Sequence, residues 1–312
     1  MENLSSILVF TLSGFNEITE IRYMYLSITI LCYVIILWCN ITIIFTVILN
    51  RRLHEPMYIF LCSLCINALY GTAGFYPKFM FDLLSKFQVI SYAGCLSQTF
   101  VIYTSVLCDF STLTIMAYDR YVAICKPLEY HSKITNHTVI KCIIFSWLAP
   151  FFCMGTLITL SARLTLCGSV IEKLYCENWA VVKLSCFSVT VNNAAGYFVI
   201  IIYFCHALFI FCSYIRLIDA CQKSAESRSR FMQTCIPHMA VLLNFTVALL
   251  FDVMYSRYGS TNFPQGLRNF LALEFLIIPP IVNPIIYGLK LSKVRKHILR
   301  LYLRNNVSRA GS

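Results

Sequence analysis

From Tyr25 to Leu49 the chain carries no Asp, Glu, Lys or Arg, and Leu184 to Ile215 is equally free of them. A membrane-spanning helix needs about 20 mostly apolar residues at ~1.5 Å rise each. Seven segments meet that length: 25–49, 57–83, 93–125, 139–161, 190–216, 233–257 and 269–290. Composition agrees. Hydrophobic residues make up 59% and charged residues 12%, where a soluble domain carries about 25% charge. Seven helices consume most of the 312 residues and leave no room for a separate soluble domain. The sequence shows no internal repeat, coiled coil or low-complexity tract. The predicted fold is all-α, a seven-transmembrane-helix bundle over 25–290, with an N-terminal segment 1–24 and a tail 291–312.

The start, MENLSSILVFTLSGFNE, has no basic region and only a short apolar run, so it does not read as a cleaved signal. Lys and Arg set the orientation. One side of the seven spans collects Arg51, Arg52, Arg120, Lys126, Lys133, Lys141, Arg216, Lys223, Arg228, Arg230 and the tail from Lys290 to Arg309. That is the larger share of the 25 bases and is expected to be cytoplasmic, with the N-terminus outside. The net charge of +11 follows from this inner rim and tail, so nucleic acid is not needed as a partner.

Most of the sixteen cysteines fall inside the spans, where a free Cys acts as a small hydrophobe. Four stand apart: Cys95 at the outer end of the third span, and Cys167, Cys176 and Cys186 in the long second outer loop. An even number on an oxidising face suggests two bridges, and sequence alone allows three pairings. Asn3-Leu4-Ser5 is a glycosylation sequon on the outer side. After the seventh span, Leu291, Val294, Ile298 and Leu301 share one helical face with bases opposite, the pattern of an amphipathic helix lying on the inner leaflet.

Ionisable groups deep in a bilayer cost about 2.5–3.5 kcal/mol on insertion scales and therefore point to function. Asp109 precedes Arg120 by eleven residues, about three turns or ~16 Å along one helix. Their shared face reads Ile102, Val106, Asp109, Leu113, Met116, Arg120 and is expected to point inward. Asp109 is expected to join Asn40 and Asn283 in a buried polar core. Asp119-Arg120-Tyr121 closes the third span with an acid and an arginine side by side, a charge switch rather than a packing device. In the seventh span, Pro284 removes a backbone donor, and Asn283 and Tyr287 lie four apart on one face of a kinked helix.

These residues resemble the odorant receptors of the rhodopsin-like G-protein-coupled class. The resemblance is carried by Leu53-His54-Glu55-Pro56-Met57-Tyr58-Ile59-Phe60-Leu61, Met116 to Cys125, Ser213-Tyr214, Thr234-Cys235 with His238, and Pro280 to Tyr287. Phe10, Leu12, Gly14, Phe15 and Glu17 match the family's amino-terminal pattern, and Asn67 to Thr72 is more similar to the fish-type branch. The resemblance implies bridges Cys95–Cys176 and Cys167–Cys186. It implies that Asp119 holds Arg120 at rest and releases it toward Tyr214, Tyr287 and a G-protein tail. A stimulatory heterotrimeric G protein raising cyclic AMP, and the plasma membrane of olfactory-neuron cilia, are implied with it. Ala68 stands where the family usually has Asp, and Asp109 where it has Glu, so a sodium site of the usual kind loses one carboxylate. Phe245-Thr246-Val247 replaces Phe-Tyr-Gly, which removes an aromatic from the expected pocket floor.

The same resemblance places a small-molecule pocket between the outer halves of spans 3, 5, 6 and 7. Its expected residues are Ile102, Tyr103, Val106, Leu107, Phe198, Val199, Ile202, Thr246, Leu249, Leu250 and Val253, with Arg257 at the mouth. Ile102 replaces the Asp of amine receptors, and Ile277 the Schiff-base lysine of opsins. Arg257 suits a carboxylate or phosphate bidentately, which points to an anionic odorant, although an arginine at a helix end also serves as a solvated or Glu-paired loop residue. No cofactor, metal or enzymatic motif is expected. Two other readings remain. One is a related receptor for a small lipid or peptide. The other is a seven-helix transporter or channel, which would show repeated halves or several facing intramembrane charges.

Overall fold

The computed structural model describes residues 9–14, 19–221, 225–259 and 264–290. Within them, side chains are described except at 19–20, 220–221, 225–238, 240–241, 265 and 287–290. The sequon at Asn3, Phe15 and Glu17, the tail 291–312, and the side chains of His238 and Tyr287 lie outside the described residues.

In chain order the elements are β1 (Val9–Leu12), α1 (Thr19–Leu49), α2 (Pro56–Leu84), β2 (Val89–Ser91), α3 (Tyr92–Cys125), α4 (Tyr130–Lys133), α5 (Asn136–Ala162), β3 (Val170–Ile171), α6 (Asn178–Val182), α7 (Thr190–Cys221), α8 (Ala225–Tyr258) and α9 (Gln265–Lys290). Single 3-10 turns at Arg51–Leu53 and Pro127–Glu129 follow α1 and α3. The seven expected spans are α1, α2, α3, α5, α7, α8 and α9. Among the described residues, six of them are long and apolar enough by composition to cross a membrane. The remaining one, α8, runs 34 residues.

Local chemistry sets several boundaries. Pro56 opens α2 at its first turn, where a missing N–H costs nothing. Ser91 caps α3 by accepting from the Gly94 N–H at 3.1 Å, and Thr135 caps α5 by accepting from Thr138 at 3.2 Å. The helices overrun the expected spans: α1 begins at Thr19 and α8 at Ala225.

The third span is the axis of the bundle. Of its most apolar stretch 72% is buried, against 22% for α1 and α5. It packs against α2, α5 and α7, while α8 lies on α9 and α7, and α1 on α2 and α9. Trp38, Phe145, Leu148 and Phe198 are more than half exposed, an outward apolar belt suited to lipid. Ile36, Phe60, Phe75, Ile102, Phe110, Tyr214 and Phe245 form part of the main core.

One end of the bundle carries a small sheet that was not expected. Its order is β2-β1-β3, with β1 antiparallel to β2 and parallel to β3. Alternation drives it: Phe10 and Leu12 turn inward and pack with Ile90, Cys95, Leu96, Ile171, Cys176 and Val181. The bonds Cys95–Cys176 and Cys167–Cys186 sit at this end. The Gln98 amide adds a second tie. It donates to the Gly74 carbonyl at 3.2 Å and accepts from the Cys176 N–H at 2.9 Å. The second loop is thereby fixed across the mouth of the helices.

Candidate functional site

Beneath that loop lies a cavity enclosing about 870 Å³ of empty space, its open mouth included. Its helical walls follow the 3.6-residue period. On α3 they are Tyr103, Val106, Leu107 and Phe110, and on α7 Gly196, Val199, Ile200, Tyr203, Phe204 and Ala207. Met154 and Leu157 come from α5, and Thr246, Leu249, Leu250, Val253 and Arg257 from α8. Glu177, Asn178 and Trp179 hang from the second loop.

Three residues expected in this pocket do not line it, and helical phase is the reason. Ile102 is fully buried on the neighbouring face of α3, toward Gly74 of α2. Phe198 is 65% exposed and faces outward. Ile202 sits one step off the wall set by Val199 and Tyr203 and packs on the core instead. The floor is aromatic despite Thr246: Phe110 lines it and meets the Phe245 ring at 4.9 Å. The α7 contributions could have been found by extending the i, i+3, i+4 pattern from Val199, whereas nothing local marks Met154 and Leu157 of α5. The loop residues could have been found because they follow Cys176 directly.

A buried charge cluster roofs the cavity. The Lys173 ammonium meets Glu177 Oε2 at 2.5 Å and Asp252 Oδ1 at 2.8 Å. Asp252 Oδ2 accepts from the hydroxyls of Tyr103 at 3.2 Å and Tyr175 at 3.3 Å. The Ser256 hydroxyl donates to Glu177 Oε2 at 2.5 Å. Burial alone would lower the Lys173 ammonium, but the two facing carboxylates outweigh it and push it up to about 12. Burial pushes the Glu177 carboxyl up, against the downward pull of Lys173. Breaking such a buried set by removing one partner costs about 3–5 kcal/mol. Asp252 is not among the residues that the sequence alone singles out. Its partners lie in a distant loop, and no local signal marks them.

Arg257 is no solvated loop residue. Its guanidinium lies over the Trp179 ring at 4.2 Å and the Tyr197 ring at 4.6 Å, and Nη1 donates to Asn193 Oδ1. Gly196 admits this position, since a Cβ there would stand 2.5 Å from Nη2. Two donors beside the cavity, Arg257 Nε and Trp179 Nε1, are buried with no hydrogen-bond partner among the described residues. An orphaned buried donor costs about 1–3 kcal/mol.

At the opposite end of α3, the Arg120 guanidinium is bound to Asp119, with Nε to Oδ2 at 3.0 Å. The other carboxylate oxygen accepts from the Tyr130 hydroxyl at 2.9 Å. Asp119 is 1% exposed. Tyr214 is buried in the main core, and Tyr121 packs partly against it. Midway along α3, Asp109, Asn40 and Asn283 line one small cavity of about 220 Å³ together with Ala68 and Pro284. The Asn67 amide donates to Asp109 Oδ1 at 2.7 Å, and Asn40 donates to the Pro280 carbonyl at 2.8 Å. Asn67 thus turns toward Asp109 from the position beside Ala68.

Comparison with known proteins gives this arrangement its family. The sequence model described as Olfactory receptor matches residues 29–305. Olfactory receptor 52K1 of Homo sapiens is 34% identical over 283 residues, covering 88% of each chain. Olfactory receptor 52D1 of Homo sapiens is 33% identical over 274 residues, covering 86% of each. Olfactory receptor 5M5 of Mus musculus is 31% identical over 313 residues, 98% of this chain and 97% of its own. The chain belongs to the olfactory receptor family. It is accordingly a multi-pass membrane receptor for an odorant, coupled to a G protein, and no enzyme. In this olfactory receptor the cavity rests against the middle turns of α3, Tyr103 to Phe110, and the Asp119–Arg120 pair lies further along the same helix, near its last turns.

Proposed function

We propose that this olfactory receptor detects a small odorant with an acidic group in the cavity under its second loop. Binding frees Arg120 from Asp119 for a stimulatory G protein, which raises cyclic AMP. The N-terminus faces outward, Asn3 carries a glycan, the basic rim and the 291–312 tail face the cytoplasm, and the working compartment is the ciliary plasma membrane. The observation that carries the ligand class is Arg257 on the wall of a mostly apolar cavity, clamped between two rings, its Nε without a partner among the described residues. A guanidinium so placed offers a carboxylate a fork of donors at little cost in ordering.

The test is cyclic-AMP output from cells bearing the receptor, across a panel of straight-chain carboxylic acids and the matching alcohols. Hydrogen bonds to a charged group are worth about 1.5–3 kcal/mol, so Arg257→Ala raises the EC50 of an acid about 10- to 100-fold. Arg257→Lys recovers only part of that, because an ammonium keeps the charge and loses the fork. Arg120→Ala abolishes the response to every ligand. Equal potency of acids on the wild type and on Arg257→Ala would end the acidic-ligand reading. Responses that survive Arg120→Ala would end the switch.

A further inference from the structure

The cavity wall presents a carboxylate as well as a guanidinium. Glu177 is 3% exposed and lines the same space as Arg257. Its contacts with Lys173 and Ser256 both fall on Oε2. Oε1 has no hydrogen-bond partner among the described residues. One lobe of a buried carboxylate is thus spent on holding the roof, and the other is left as an acceptor beside the ligand space.

Charge balance sharpens the point. Among the described residues the roof and wall hold two cations, Lys173 and Arg257, and two anions, Glu177 and Asp252, with Lys183 and Glu172 close by as a further pair of opposite sign. As it stands the set is neutral. A ligand bringing only a carboxylate adds an uncompensated negative charge beside Glu177, in surroundings where charges interact more strongly than in water. A ligand bringing a carboxylate and an ammonium adds none. Below this head region the walls are apolar, with Val106, Leu107, Leu157, Val199 and Leu250 among them, and they suit a hydrocarbon tail.

We propose that the preferred ligand is amphoteric, an apolar tail bearing a carboxylate for Arg257 and an ammonium for Glu177 Oε1, as in a 2-amino acid with a straight alkyl side chain. This inference rests on the reading of Arg257 as the anion contact. It adds Glu177 as the residue that discriminates an amino acid from the plain acid.

The experiment uses the full-length receptor in cyclic-AMP reporter cells, with surface level measured by an N-terminal epitope. The probes are straight-chain carboxylic acids, the matching 2-amino acids and the matching amines. The wild type is expected to respond to an amino acid at about tenfold lower concentration than to the acid of the same chain length, the size of one charge-assisted contact. Glu177→Gln keeps a side chain of the same shape against Lys173 and Ser256 but leaves the wall one charge positive. Amino acids are then expected to lose potency while plain acids gain it. A merely structural role for Glu177 would move both in the same direction, and that result overturns the inference. Equal or greater potency of plain acids on the wild type overturns it too, while leaving the acidic-odorant reading intact. Silence toward acids and amino acids alike, from receptor present at the surface and responsive to alcohols, overturns both. Should Glu177→Gln fail to reach the surface, Glu177→Asp keeps the charge, draws the acceptor back, and is expected to weaken amino acids alone.

Discussion

Asp119 is held from two sides, and the second holder suggests how firmly the resting state is kept. Arg120 takes Oδ2 and Tyr130 donates to Oδ1, so the carboxylate cannot rotate away from the arginine without losing a bond. One hydrogen bond is worth about 0.5–1.5 kcal/mol net, and more when the acceptor is charged. Tyr130→Phe is therefore expected to raise ligand-free cyclic AMP by about two- to tenfold, with ligand potency little changed. Basal output at wild-type level, at equal surface density, would show that Tyr130 has no part in restraint. Asp119 and Arg120 were readable because two charges side by side at a helix end are rare in a chain with 12% charged residues. Tyr130 was not, since a tyrosine in the short stretch between two spans carries no mark of its partner. The same holds for Lys173 and Asp252, which are 79 residues apart and meet only in the folded chain.

At the scale of elements, composition was enough for the helices and too little for the sheet. Twenty-odd apolar residues in a row permit one structure in lipid, because every backbone polar group must be satisfied within the segment. Strands of four, three and two residues have no such constraint. They come from the N-terminal segment and two separate outer loops, so period-two alternation is too brief to register. Once formed, the sheet and the two bridges act together to hold the roof. Cys95–Cys176 spans a sequence separation of 81 and Cys167–Cys186 one of 19. Loop-closure entropy makes these worth about 4.5 and about 3 kcal/mol. The first pair is also fully buried in the packing of the sheet. Cys95→Ser is therefore expected to deplete surface receptor more than Cys186→Ser, measured as the ratio of surface to total staining by flow cytometry. The reverse order would mean that the short loop, not the tether to α3, carries the roof.

For the whole molecule the decisive question is which way the bundle faces. The cavity rests against α3 from Tyr103 to Phe110, the small Asp109 cavity lies level with its deep wall, and Arg120 stands further along the helix toward the opposite end. From Tyr103 to Arg120 the helix rises about 25 Å, most of a hydrocarbon core of about 30 Å. An odorant in the cavity can therefore reach a cytosolic partner at the Arg120 end only by biasing packed helices between two arrangements, and only if that end is the cytosolic one. The distribution of Lys and Arg argues that it is, since the end bearing Arg120 also bears Arg51, Arg52, Lys126, Lys133 and Lys141. An epitope fused before Met1 is expected to stain on intact cells, and one after Ser312 only after permeabilisation. The opposite pattern would put Arg120 and its restraints outside the cell. The cavity roofed by the second loop would then open to the cytosol, and neither an odorant nor a G protein would meet the surface proposed for it.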